Sequence, residues 1–234
     1  MLTIEQITGL QQQHLVTLVE NGITHKLEKN TLQAYQSLKQ HAQEEGIVIA
    51  IASSYRDFDR QKSIWDNKAL GRSVLLDSDT RVLDYAALST QQLVESIMRW
   101  SALPGASRHH WGTDFDIYDS SALPEGYRLQ LIPQEYASDG IFANLTQWLE
   151  KQWQAGNHCD FFRPYHHDLG GVAPEPWHLS YAPVSVSCET MLSINALTDL
   201  LRQRPIVHGD YCLQHLTTLF ERFIINTDRA SYHA

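Results

Sequence analysis

Ser107-Arg108-His109-His110-Trp111-Gly112-Thr113-Asp114-Phe115-Asp116 is the stretch on which this chain turns. It sets His109 and Asp116 seven positions apart, too far for one helical turn and awkward for a single straight strand. A loop carrying His109 that runs into a strand carrying Asp116 brings the two together, and Gly112 permits the bend. Phe115-Asp116-Ile117-Tyr118 then alternates apolar and polar, as a strand with one wet face does. The plainer alternative, a surface histidine and a strand-end aspartate, is left open by this stretch alone.

The answering stretch is Glu175-Pro176-Trp177-His178. Zinc catalysis needs three protein ligands, one position left for water, and a base beside that water. His109, Asp116 and His178 would supply the ligands. Glu175, three residues before a ligand, would stand near the open position without itself coordinating. Alternatively, the four residues form a turn leading into a strand.

Working outward, residues 1–28 suggest short helical or loop material. A helix is expected from Asn30 to a stop at Gly46, and the apolar β-branched run 47–52 fits a buried strand. Asp57 is a reasonable N-cap for a helix over 57–70, closed by Gly71. A further helix is expected over 90–100, loop over 119–140, a helix over 141–153, and a strand over 177–181. After Pro183 the character changes to amphipathic helices over 191–201 and 211–225. The expected fold class is α+β: a small antiparallel sheet flanked by helices, with the metal site at the sheet face. Residues 1–184 would form that domain, and 185–234 a helical extension packed on it.

Hydrophobic residues at 43% and charged ones at 19% place the chain among globular proteins rather than disordered ones. A net charge of -9 without a basic cluster argues against a nucleic-acid surface. Cys159, Cys188 and Cys212 are odd in number and lack Cys-x-x-Cys spacing, so they suggest core residues rather than a disulfide framework. The N-terminus lacks a signal-like apolar region and no window is long enough for a membrane span, so a cytoplasmic protein is expected.

Taken together, Ser107-x-His109-x-x-Gly112-x-x-x-Asp116 and Glu175-x-x-His178 resemble the VanY-type zinc D-alanyl-D-alanine carboxypeptidases. That group includes L,D-carboxypeptidases and phage endopeptidases acting on cell-wall peptides. Ser53-x-Tyr55-Arg56-x-x-x-x-Gln61 is similar to the same family's upstream motif, and the resemblance covers about residues 45–184. It implies zinc held by His109, Asp116 and His178, with Glu175 as general base. Arg56 would polarise the scissile carbonyl or clamp a terminal carboxylate, and Ser107, Gln61 and Tyr55 would contact the peptide. The implied partners are peptidoglycan stem peptides or muropeptides. The implied reaction removes a C-terminal D-alanine, with L,D-cleavage of tetrapeptides in wall recycling favoured by a cytoplasmic setting. D,D-cleavage of pentapeptides and a non-catalytic wall-peptide binding module are the alternatives.

One departure is Asp114, where many relatives carry a small residue. It shares a strand side with Asp116, so it would either compete as ligand or support a histidine from behind. His110 is expected to cover the site or lie exposed, and His166 and His167 are candidates for a substrate contact. Trp111 and Trp177 are expected to pack around the metal.

Overall fold

The computed structural model describes residues 1–229, so 230–234 of the expected extension lie outside the described residues. After a four-residue helix α1 (Ile4–Ile7), the chain forms an antiparallel hairpin where helix or loop was expected: β1 (Leu15–Glu20) and β2 (Ile23–Glu28). Its turn is Asn21-Gly22, with φ of 50° and 75°, the left-handed pair that a two-residue hairpin turn requires. No residue of β1 is fully buried, so its apolar alternation is weak and only the turn dipeptide marks the hairpin. Glu28 then opens helix α2 (Lys29–Glu44) by accepting from the Asn30 and Thr31 amides at 2.9 and 3.0 Å.

A four-stranded sheet holds the centre: β3 (Ile49–Ser53), β4 (Asp114–Asp119), β5 (Phe161–Phe162) and β6 (His178–Tyr181). The order is β3-β4-β6-β5 and every pairing is antiparallel. Alternation along β4 sends Phe115 and Ile117 to one face, where they join Leu179, Ile49 and Ile51 against α2 and helix α5 (Ala143–Gln154). Asp114 and Asp116 therefore point to the other face. Register completes the arrangement: Asp116 pairs with His178 on one side and Ser53 on the other, and Asp114 pairs with Ser180. A one-residue slip would bury the carboxylates among the aromatics.

That polar face is roofed by a second apolar cluster. Helices α3 (Phe58–Ala69) and α4 (Thr90–Trp100) contribute Trp65, Val94 and Ile97. The chain after β6 adds α6 (Ala182–Met191), α7 (Ile194–Gln203), α8 (Gly209–Gln214), α9 (Leu216–Leu219) and a π-helical turn, Phe220–Ile224. Helix α6 falls where no helix was expected. Pro183 sits in its first turn, where a missing N–H costs no hydrogen bond. The helix expected from 191 instead starts beyond Ser193, whose hydroxyl accepts from the Ala196 amide at 3.2 Å. The helix expected over 211–225 is interrupted at His215. Among the described residues, no helix is long and apolar enough to cross a membrane.

Candidate metal centre and its cleft

Gly112 brings the motif loop onto the sheet. Its φ is 71°, and a Cβ there would lie 2.3 Å from Leu15 Cδ2 and 2.9 Å from the Glu28 amide nitrogen, so the hairpin can lie against it only because it is glycine. One atom each of His109, Asp116 and His178 then falls within 4.8 Å of the others, and all three residues are buried. Asp116 Oδ2 is 3.5 Å from His109 Nε2, and Asp116 Oδ1 is 3.1 Å from His178 Nδ1.

The outward ring nitrogens fix which lone pairs face inward. His109 Nδ1 lies 2.9 Å from the Ser54 carbonyl, which can only accept, so that nitrogen carries the proton and Nε2 presents its lone pair. His178 Nε2 donates to Asp114 Oδ1 at 3.1 Å, leaving Nδ1 toward Asp116. Asp116 Oδ1 and His178 Nδ1 are buried without a hydrogen bond among the described residues, although only 3.1 Å separates them. Two lone pairs and a carboxylate converging on one point repel unless a cation lies between them. His178 registers that demand. Burial opposes a charged ring, yet Asp114, Asp116 and Glu175 outweigh it and hold its pKa well above the ordinary value. His109 goes the other way, driven well below by burial and then by Arg56 and His178. The donor set, two imidazoles and a carboxylate, suits zinc.

Asp114 thus sits behind His178, on the opposite ring nitrogen from Asp116. Arg108 Nε at 2.7 Å and the Thr113 hydroxyl at 2.6 Å also donate to it. Burial alone would raise its pKa, but Arg108, with bonds from His178 and Thr113, brings it down to about 2.

Glu175 Oε2 stands 3.3 Å from His178 Nδ1, at the edge of the cluster. Burial and the neighbouring Asp116 raise its pKa above the usual carboxylate value, against the pull of His178 and Arg56. Arg56 reaches the same place from the loop after β3. Its Nη1 donates to Gln61 Oε1 at 3.0 Å, and its Nε is buried without a partner among the described residues. Gln61 is fully buried, with its other end donating to the Ala102 carbonyl at 2.7 Å, so its reach toward a ligand runs through Arg56.

Two cavities meet at Arg56 and Glu175. One, of about 50 Å³, is closed by Ser107, Trp100, Tyr165, Phe223 and Ile224. The other, of about 310 Å³, is more open and runs past Asp116, Trp177, Lys68 and residues 130–132. Tyr55 lines neither cavity: its hydroxyl donates to the Gly9 carbonyl at 3.5 Å, toward the N-terminal turn. His110 is neither a cover nor exposed. It is fully buried, within 2.6 Å of the Arg56 carbonyl through Nδ1 and accepting from the Gly105 amide at 3.1 Å through Nε2. Burial drops its pKa to about 4, so it is a neutral strut under Arg56. His166 and His167 turn to Glu150 and Asp228 and line neither cavity. Trp177 is buried and lines the open cavity, while Trp111 packs with Arg108, whose guanidinium lies 4.6 Å from its ring.

Three contributors escaped the sequence reading. Lys68 lies twelve residues after Arg56 with no motif around it. Arg108 occupies a position the motif leaves free, and Glu189 joins it from 81 residues away. Only the fold brings them to the site.

Several known proteins are similar to this chain. Residues 24–184 match the family described as VanY, D-alanyl-D-alanine carboxypeptidase, starting earlier than the residue 45 expected from motifs because most of β2 and all of α2 are included. An uncharacterised protein of Haemophilus influenzae is 35% identical over 125 residues, 53% of this chain and 93% of the relative. A D-alanyl-D-alanine carboxypeptidase of Enterococcus faecalis is 23% identical over 155 residues, 65% of this chain but 47% of that longer relative. In fold, the chain is similar to the LdcB LD-carboxypeptidase, with a TM-score of 0.52 at 20% identity, covering 92% of this chain and 80% of that one. With the family match spanning well over half of its length, including both halves of the metal cluster, the chain belongs to the VanY D-alanyl-D-alanine carboxypeptidase family.

Proposed function

We propose that the protein is a zinc-dependent carboxypeptidase that removes a C-terminal D-alanine from peptidoglycan stem peptides. The observation that carries this reading is the convergence of His109, Asp116 and His178 lone pairs beside Glu175 and the unpartnered Arg56 Nε. Zinc held by the three ligands would polarise the scissile carbonyl and acidify a water to near neutrality.

The chain's own groups supply the rest. Glu175 Oε2 takes the proton of the attacking water and returns it to the leaving amine. Burial, which raises its pKa above the ordinary carboxylate value, makes it readier to hold the proton between the two steps. Arg56 faces charge developing on the carbonyl oxygen, with Gln61 bracing one arm of its fork and His110 bracing its backbone. The closed cavity takes the terminal residue and limits it to a small side chain, with Ser107 on its wall; the open one takes the remaining peptide. Lys68, beside Arg56 and Glu175 in the open cavity, adds positive charge suited to the carboxylates of a stem peptide.

Within this reading we favour L,D-cleavage of tetrapeptides, as expected of a cytoplasmic enzyme that meets recycled wall fragments and spares the D-Ala-D-Ala precursor. The family description and the Enterococcus relative favour the second reading, D,D-cleavage of pentapeptides. Mass spectrometry of tetra- and pentapeptides incubated with zinc-loaded protein separates them. Loss of D-alanine from the tetrapeptide supports the first. Loss from the pentapeptide alone overturns it in favour of the second. A protein that binds stem peptide and cleaves neither is a binding module.

A further inference from the structure

A buried chain of charges links the helices after β6 to the metal cluster. Glu189 on α6 accepts from Arg108 Nη1 at 3.2 Å. Arg108 donates through Nε to Asp114 and through Nη2 to the Ser180 hydroxyl at 2.8 Å. Asp114 accepts the His178 Nε2 proton. Every member is buried: Glu189 is 5% exposed, Arg108 3%, Asp114 0% and His178 2%. Glu189 is held from beyond as well, its Oε1 accepting from the Thr227 hydroxyl at 3.3 Å and from Arg229 at 2.6 Å. Glu189, Thr227 and Arg229 all lie outside the residues of the family match.

We propose that Glu189, acting through Arg108 and Asp114, is a positioning residue for the metal ligand His178. By this route the segment after residue 184 helps set the affinity of the site for its metal. The inference rests on the metal reading of His109, Asp116 and His178. A carboxylate bonded to the outer nitrogen of a ligating imidazole fixes its ring and raises its basicity. Here the carboxylate is itself tied on two sides, by Thr113 and by a guanidinium with little freedom. The Arg108 guanidinium carbon lies over the Trp111 and Phe162 rings, 4.6 and 5.5 Å from their centroids, and its three nitrogens donate to Asp114, Ser180 and Glu189. Glu189 also balances charge. Without it, Arg108 would be balanced by Asp114 alone, drawing on the negative charge that Asp114 offers the His178 ring.

The test is zinc affinity, measured by competition with a chromophoric chelator on the full chain, with circular dichroism confirming the fold of each variant. Asp114→Ala should raise the zinc Kd roughly 10- to 100-fold, the usual cost of losing such a partner. Asp114→Asn, which keeps an acceptor for His178 but cannot balance Arg108, should recover part of that loss. Glu189→Gln should weaken zinc binding by an intermediate factor, and Asp114→Ala/Glu189→Gln should bind no more weakly than Asp114→Ala, because both act along one line. Glu189→Asp, with the charge kept and the reach shortened, covers a Glu189→Gln protein that fails to fold. Wild-type zinc affinity in the folded Glu189 variants, or additive losses in the double variant, would overturn the proposal. Failure of the wild-type protein itself to bind zinc would instead remove the metal reading beneath it.

Discussion

Ile224 offers a direct handle on substrate choice, because a residue far along the chain from the motifs closes the cavity assigned to the terminal amino acid. That cavity is the smaller of the two that meet at Arg56 and Glu175, at about 50 Å³, and Ile224 is 7% exposed at its wall. Ile224→Ala should destabilise the protein by about 2–5 kcal/mol through lost contacts, while extending the cavity by the deleted part of the side chain. Each methylene newly accommodated in an apolar pocket is worth about 1–3 kcal/mol of transition-state binding, roughly 10- to 200-fold in kcat/KM. The assay compares kcat/KM for stem peptides ending in D-alanine and in D-2-aminobutyrate, which is longer by one methylene. The ratio should move by about tenfold or more toward the longer residue, with Ile224→Val giving a smaller shift at about 0.5–1.5 kcal/mol of stability. An unchanged ratio in a folded Ile224→Ala protein would refute the placement of the terminal residue in this cavity.

Two further outcomes are expected. Gln61→Met removes an acceptor from the charged Arg56 and leaves the Ala102 carbonyl unpaired, so it should cost about 2–4 kcal/mol. That is a melting temperature lower by roughly 5–10 °C for a chain of this size, and kcat should fall more than KM rises if Arg56 acts in the transition state. Lys68 is the pH-dependent case. Burial, opposed by Glu175 and aided by Arg56, lowers its ammonium from 10.5 to about 8. Below pH 8 folded and unfolded chains both hold the proton and the fold bears the full cost of burying it. Between pH 8 and 10.5 the folded chain releases it first, so stability rises with pH through that window. Lys68→Met should therefore melt above wild type at pH 7, with the gap closing as pH approaches 10. A gap independent of pH would show that charge burial is not its cause.

Much of the site was legible in the chain because short-range rules fix it. The motif spacing needed only a bend at Gly112 and a period-two strand to bring His109 near Asp116, and Asp57 capped α3 as its side chain dictates, accepting from the Arg60 amide at 2.7 Å. His178 joined them through strand register, which no local pattern specifies. What stayed hidden has a physical reason in each case. The hairpin buries little of β1, so its pattern carried almost no signal beyond Asn21-Gly22. His110 looked like a site residue because its neighbour is one; its burial depends on Gly9, where a Cβ would meet its ring at 2.5 Å. Arg108 and Glu189 become legible only once α6 lies over the sheet, since neither sequence neighbourhood marks a buried ion pair.

The central claim is that His109, Asp116 and His178 together hold one zinc ion on which the reaction depends. Elemental analysis of purified His178→Ala, folded by circular dichroism and dialysed against micromolar zinc beside the wild type, tests it most directly. The account predicts about one zinc per chain in the wild type, the complement of a single site, and far less than that in the variant. Equal, stoichiometric zinc in both proteins would contradict it.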